Sequence, residues 1–203
     1  MSPQVRAFGT GAALVEVDGP AEALSLALWL RDRVEATEVV PAARTVLVDG
    51  VPVLEVQAAV RGWTPDAPAA GGDLVEVPVR YDGPDLAAVA ELVGVSEEEV
   101  VRRHTEAEHV AAFCGFAPGF SYLTGSPWEV PRRSTPRSRI EPGSVGLAGP
   151  WTGVYPTASP GGWQLVGSTD VVLWDPDRSE PALLPPGTRV RFRAVPAPSA
   201  GVA

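Results

Sequence analysis

Lysine is absent from this chain of 203 residues: all sixteen basic residues are arginine. That excludes Schiff-base chemistry on a lysine, and it excludes a Walker-type phosphate loop, whose lysine reaches the terminal phosphates. Cysteine occurs once, at Cys114, and histidine twice, at His104 and His109. A single cysteine forms no internal disulfide, which agrees with a reducing compartment. With no C-x-x-C or H-x-x-x-H spacing, no metal site is expected from this chain alone. No apolar run approaches the roughly 20 residues that span a bilayer, and no basic stretch with an apolar h-region follows Met1. A cytoplasmic protein without membrane contact is expected. The net charge of −9 argues against nucleic acid as a partner, since that needs a basic surface to displace counterions.

What is present concentrates in residues 115–167. Between residues 115 and 162 stand nine glycines and eight prolines, too many for regular helix. Yet Phe116, Phe120, Tyr122, Trp128, Trp151, Tyr155 and Trp163 are too hydrophobic for a disordered linker, so ordered loops over a β scaffold are expected. Arg132, Arg133, Arg137 and Arg139 form a basic island with no acid between Glu129 and Glu141. Prolines 131, 136 and 142 deny them a helix on which acids would pair at regular spacing. A guanidinium offers a planar donor fork for carboxylate or phosphate, and Arg132 and Arg137 are the preferred candidates. The alternative is four solvated loop residues.

Phe116, Phe120 and Tyr122, fixed by the Pro118 and Gly119 turn, would wall a site for an apolar or planar ligand, or else fill a barrel core. Gln164, after Gly161 and Gly162, would read a carbonyl or amide, or point outward from a strand. His104 suits acid–base work or an anion contact, with a helix C-terminal dipole contact as the competing reading. His109 and Cys114 read as structural. Glu129 and Glu141 are the only carboxylates in the stretch, whereas a metal-nucleotide needs carboxylates beside its phosphates. The surface reads as half of an active site.

Along the chain, residues 12–17 and 45–48 read as strands, 21–34 and 53–60 as helices, and 63–72 as a Pro/Gly/Ala loop. Residues 74–81 alternate as a strand, completing a small α+β unit over 1–81. Residues 82–203 form the second part. There Asp85 caps a helix to Val93, and Ser96 with Glu99 forms a capping box for a helix to Glu106. Residues 163–166 and 171–174 read as strands, and 187–195 as a strand with Val190 and Phe192 inward. A frayed tail is expected from Pro196. Many short strands with turns point to a small barrel.

The motifs HTEAEH at His104, then GFAPGFSYL, VPRRSTPRSRI, PGSVGLAG, TGVYPTASPGGWQLVG and PPGTRVRF, together with YDGPDLAAVAELVGVSEEEVVRRHT, resemble the bacterial family that includes the B subunit of 5-oxoprolinase, the sporulation-kinase inhibitor KipI and proteins labelled allophanate hydrolase subunit 1. The resemblance spans the chain. It implies an α+β protein with a ferredoxin-like domain over 1–81, then linker helices and a cyclophilin-like β-barrel over 82–203. It implies ATP with Mg shared with a paired, C-type cyclophilin-like protein, and a third 5-oxoprolinase subunit. The expected reaction is ATP-dependent opening of 5-oxoproline to L-glutamate, active only in the complex, with His104, Arg132 and Arg137 as catalytic candidates and Phe116, Phe120, Tyr122 and Gln164 against the small amide substrate. A KipI-like kinase inhibitor and a component processing allophanate or urea amides are the alternatives. The chain departs from the family's usual pattern at His109, Ser121 and Trp151, and in a short loop at residues 127–130, so that the pocket rim and ligand identity are affected more than the fold.

Overall fold

The computed structural model describes residues 3–65 and 72–196. The described residues form two compact units, one running to Gly72 and including Ala112–Cys114, the other comprising the rest. The expected loop at 63–72 and the expected tail lie largely outside the described residues.

The first unit comprises β1 (Gln4–Phe8), β2 (Ala12–Glu16), α1 (Pro20–Arg31), β3 (Glu38–Pro41), β4 (Thr45–Asp49) and α2 (Val53–Val60). Its four strands make an antiparallel sheet in the order β1-β2-β4-β3. The alternation seen in the sequence decides which face is covered: Ala13, Val15, Val46 and Val48 are fully buried with Leu26, Ala27, Leu30 and Val56. Pro20 starts α1, where its fixed φ suits the first turn and its missing N–H costs nothing.

The remaining elements are β5 (Leu74–Val79), α3 (Leu86–Val93), α4 (Glu97–Glu106), β6 (His109–Cys114, of which Ala112–Cys114 group with the first unit), β7 (Ser121–Thr124), β8 (Arg137–Ile140), β9 (Ser144–Ala148), β10 (Trp151–Val154), β11 (Ser159–Gly161), β12 (Gln164–Ser168) and β13 (Arg189–Ala194). Seven of these strands form one sheet in the order β12-β9-β10-β7-β6-β13-β5. Arg80, just past β5, and Ser168, at the end of β12, exchange two backbone hydrogen bonds of 2.8 Å. The first and last strands therefore meet, and the sheet is a nearly closed barrel. Gly167 makes that seam possible, because a Cβ there would run into the Arg80 carbonyl. Strands β8 and β11 form a separate two-stranded ribbon.

Four expectations change. Residues 74–81 do contain a strand, but β5 lies parallel to β13 in the barrel sheet, so the units part near residue 72 and not at 81. A strand's alternation shows a half-buried face without showing which sheet buries it. Residues 115–162 hold β7 to β11, where loops were expected; strands of three to five residues bounded by Gly and Pro leave too little alternation to read. Residues 171–174 form no strand, only a bridge from Trp174 to Ala182. Asp85 sits at the N-cap of α3 without a side-chain cap bond, because its carboxylate is engaged elsewhere. Ser96 does cap α4, accepting from the Glu99 N–H at 3.2 Å, while the Glu99 carboxylate turns to Arg102 and Arg103.

Candidate functional site

The barrel unit carries a pocket of about 330 Å³ walled by Phe116, Phe120, Tyr122, Tyr155 and Trp163. Pro136, Pro160, Gly161 and Gly162 form its backbone edge, and Arg132 supplies the one charged side chain among the described residues that line it. The rings meet edge to face: Phe120 lies 5.1 Å from Tyr122, 5.2 Å from Tyr155 and 5.3 Å from Trp163 between centroids. Phe120, Tyr155 and Trp163 are buried, whereas Phe116 at the rim is 59% exposed. Phe116 also has φ +69°, the one non-glycine residue with positive φ among those described. For a bulky side chain that backbone is strained, and strain of this kind collects at ligand sites.

The arginine island divides. Arg133 and Arg137 each donate to Asp85 Oδ1 at 2.8 Å, and the Leu165 backbone N–H donates to Asp85 Oδ2 at 2.7 Å. The Asp85 side chain is 4% exposed. Burial by itself would raise its pKa, but the Arg137 hydrogen bond, the Leu165 N–H and the two guanidinium charges outweigh burial and hold the carboxyl below its usual range. Arg139 pairs with Glu141 at 2.7 Å in solvent. Arg132 has no ion-pair partner among the described residues, and it faces the pocket. The structure thus brings Arg132 to the site and gives Arg137 a structural partner away from the pocket lining. The signal for this division was Asp85 itself, read from sequence only as a helix cap.

His104 does not line the pocket. It is fully buried, its Nδ1 2.8 Å from the Tyr81 hydroxyl and its Nε2 3.3 Å from Thr152 Oγ1. Its ring stacks on Phe192 at 4.6 Å and lies 5.0 Å from His109. Burial, with the neighbouring His109 as a smaller cause, pushes its pKa well below 6.5. An imidazole in this position fills and rigidifies the barrel interior; an acid–base group would have to reach the reacting atoms. His109 is also buried, 3.0 Å from the Thr124 carbonyl through Nδ1 and 3.3 Å from the His104 carbonyl through Nε2.

Gln164 is buried too. Its Nε2 donates to the Pro131 carbonyl at 3.2 Å, which anchors the start of the arginine loop from below. Arg133 N–H donates to the Gly162 carbonyl at 2.9 Å, a second tie between that loop and the pocket edge. Of the seven site residues read from sequence, the pocket unites Phe116, Phe120, Tyr122 and Arg132, and places His104, Arg137 and Gln164 outside its lining. Tyr155 and Trp163 were recognised only as part of the aromatic stretch.

A small planar anion fits this arrangement, with its ring against the aromatic wall and its charge on Arg132. Magnesium does not fit these residues. Among the described residues the pocket lining has no carboxylate, and no three His, Cys, Asp or Glu side chains gather as a metal requires.

The sequence pattern of the carboxyltransferase domain, subdomain C and D, matches residues 3–184. The B subunit of 5-oxoprolinase from Escherichia coli O157:H7 is 54% identical over 123 residues, covering 58% of this chain and 56% of that protein. Its counterpart from Bacillus subtilis strain 168 is 48% identical over 124 residues, covering 59% and 52%. The match thus spans only a little over half the length of those relatives. Among solved structures, TTHA0988 superposes with TM-score 0.76 at 33% identity, over 93% of this chain and 40% of that one. The conserved uncharacterized protein PH0987 of Pyrococcus horikoshii superposes with TM-score 0.58 at 29% identity, over 95% and 98%. The urea carboxylase of Kluyveromyces lactis shares the fold, with TM-score 0.72 at 19% identity over 95% of this chain and 22% of that one.

Proposed function

The chain belongs to the carboxyltransferase domain family, subdomains C and D, and from that premise we propose that it is the B-type component of an ATP-dependent 5-oxoprolinase. The observation that carries this reading is the division of the arginine island. Asp85 and Glu141 pair with three of its guanidinium groups, and among the described residues only Arg132 is left, facing an aromatic pocket. 5-Oxoproline is a flat five-membered lactam with one carboxylate, and it matches a pocket with one cation and apolar walls. The names of the relatives support the same substrate.

On this reading the chain works in the cytoplasm within a complex. A paired C-type cyclophilin-like protein and a third component supply the carboxylates that Mg and ATP need, which this pocket lacks. This chain binds and orients the lactam. The barrel corresponds to a cyclophilin-like domain and the first unit to a ferredoxin-like one. Its order ββαββα differs from the βαββαβ of that fold only by moving the last strand to the front. The test is ATP hydrolysis by the co-purified components with and without 5-oxoproline. Substrate-dependent hydrolysis that falls in Arg132→Ala, with the complex still assembled, is the expected result. Hydrolysis indifferent to 5-oxoproline removes the proposal.

A further inference from the structure

Tyr155 is 2% exposed, yet its ring is part of the pocket wall. Its backbone is fixed at both ends, the N–H donating to the Ser144 carbonyl at 2.9 Å and the carbonyl accepting from Gly143 N–H at 2.7 Å. Edge-to-face contacts with Phe116 at 6.2 Å, Phe120 at 5.2 Å and Trp163 at 6.4 Å fix the ring in turn. Its hydroxyl lies against Gly161 so closely that a Cβ at that position would collide with it. The glycine is therefore what admits the hydroxyl to the pocket edge.

The hydrogen-bonding of this hydroxyl is incomplete. The Trp163 backbone N–H faces its oxygen, and the charges of Arg132 and Arg137 act on it. No acceptor for its own proton occurs among the described residues. Burial keeps the phenol protonated well beyond neutral pH, outweighing the Trp163 N–H and the two guanidinium groups, which favour the phenolate. The hydroxyl is not among the fully buried polar atoms left without a partner; it belongs to the pocket wall, where a ligand reaches it directly, and it shares that pocket with Arg132, the guanidinium of the island with no ion-pair partner among the described residues.

We propose that the Tyr155 hydroxyl and the Arg132 guanidinium together form a carboxylate subsite, each donating to the carboxylate of a small ring monocarboxylate whose ring lies on Phe120 and Trp163. Tyr155 is then a specificity-determining residue. It distinguishes a ring acid from the neutral lactam, because only the acid offers both donors an anionic acceptor, whose hydrogen bonds are the stronger ones. The assignment deepens the 5-oxoprolinase reading and rests on it for the choice of 5-oxoproline as ligand. The subsite itself depends only on the pocket.

The experiment is calorimetric titration of the full chain and its Tyr155→Phe, Arg132→Ala and Arg139→Ala variants with three probes: 5-oxoproline, neutral 2-pyrrolidinone and benzoate. Tyr155→Phe keeps the ring contacts and removes only the hydroxyl. It is expected to weaken 5-oxoproline about 10-fold or more, the scale of one hydrogen bond to a charged group, and to leave 2-pyrrolidinone unchanged. Arg132→Ala weakens the acid at least as much, and Arg139→Ala, outside the pocket, has no effect. Equal binding of 5-oxoproline by Tyr155→Phe and the unaltered chain overturns the assignment of Tyr155. Benzoate binding that responds to both variants, with 5-oxoproline ignored, supports the subsite and overturns the 5-oxoproline reading instead. Failure of both acids to bind overturns the subsite.

Discussion

Two polar clusters in the barrel unit are built from similar materials, aromatic rings with a few hydrogen-bonding groups, and end in opposite conditions. Around His104 the ring nitrogens all face polar groups inside the fold. Tyr81 and Thr152 take the two nitrogens of His104, and carbonyls of Thr124 and His104 face those of His109, all packed on Phe192. Around Tyr155, among the described residues, no acceptor meets the hydroxyl proton and no acid pairs with Arg132, and Phe116 is held in a strained backbone. The first cluster stabilises the barrel. On the proposed function, the second is organised around a ligand that the chain does not itself supply.

The largest expected effect lies between the two clusters, at the clamp that fixes the arginine loop. Asp85→Ala strands two guanidinium groups and the Leu165 N–H and should cost about 3–5 kcal/mol in denaturant unfolding. A loss below about 1 kcal/mol would show that Arg133 and Arg137 find other partners, and would break the contrast between paired and unpaired arginines. His104→Ala should cost about 3–4 kcal/mol through the lost ring packing and its two hydrogen bonds. If the variant instead keeps full stability and loses turnover, His104 belongs to the reaction and the contrast fails there.

The pH dependence sharpens the same division. His104 and His109 both have pKa values lowered by burial from an ordinary 6.5. The unfolded chain therefore binds more protons than the folded one below that pH. The stability of the histidine cluster is fully present above about pH 6.5 and is lost as pH falls, by up to about 2.7 kcal/mol per pH unit while both rings charge only in the unfolded chain. Unfolding midpoints measured from pH 8 to pH 5 test this, and Tyr155→Phe should leave the profile unchanged. The smallest effect is at the rim. Phe116→Gly relieves the positive φ while losing an exposed ring, so stability should stay within about 1 kcal/mol, but 5-oxoproline binding should weaken measurably. Unchanged binding would place Phe116 outside the site.

Much of the scaffold was legible in the sequence because local chemistry decided it. Residues 53–60 form the helix their pattern predicts, Ser96 caps its helix, and Val190 and Phe192 point inward from an alternating strand. Short strands rich in Gly and Pro were not legible, since their existence depends on barrel neighbours far away in the chain. The site was half legible for the same reason. Phe116, Phe120, Tyr122 and Arg132 lie close together in sequence and in the pocket. His104, Arg137 and Gln164 are drawn inward or aside by Tyr81, Asp85 and Pro131, residues 23, 52 and 33 positions away.

By itself the sequence determined the chemistry on offer: arginine as the only cation for anions, no lysine or metal-ligand spacing, and an aromatic stretch too stiff for helix and too apolar for disorder. The tertiary structure alone decided which of those groups are free. A guanidinium's availability depends on whether a carboxylate reaches it, and Asp85 is brought to Arg133 and Arg137 only when the start of α3 lies against β12 and the arginine loop. Arg132 remains at the pocket because, among the described residues, that packing brings no carboxylate to it.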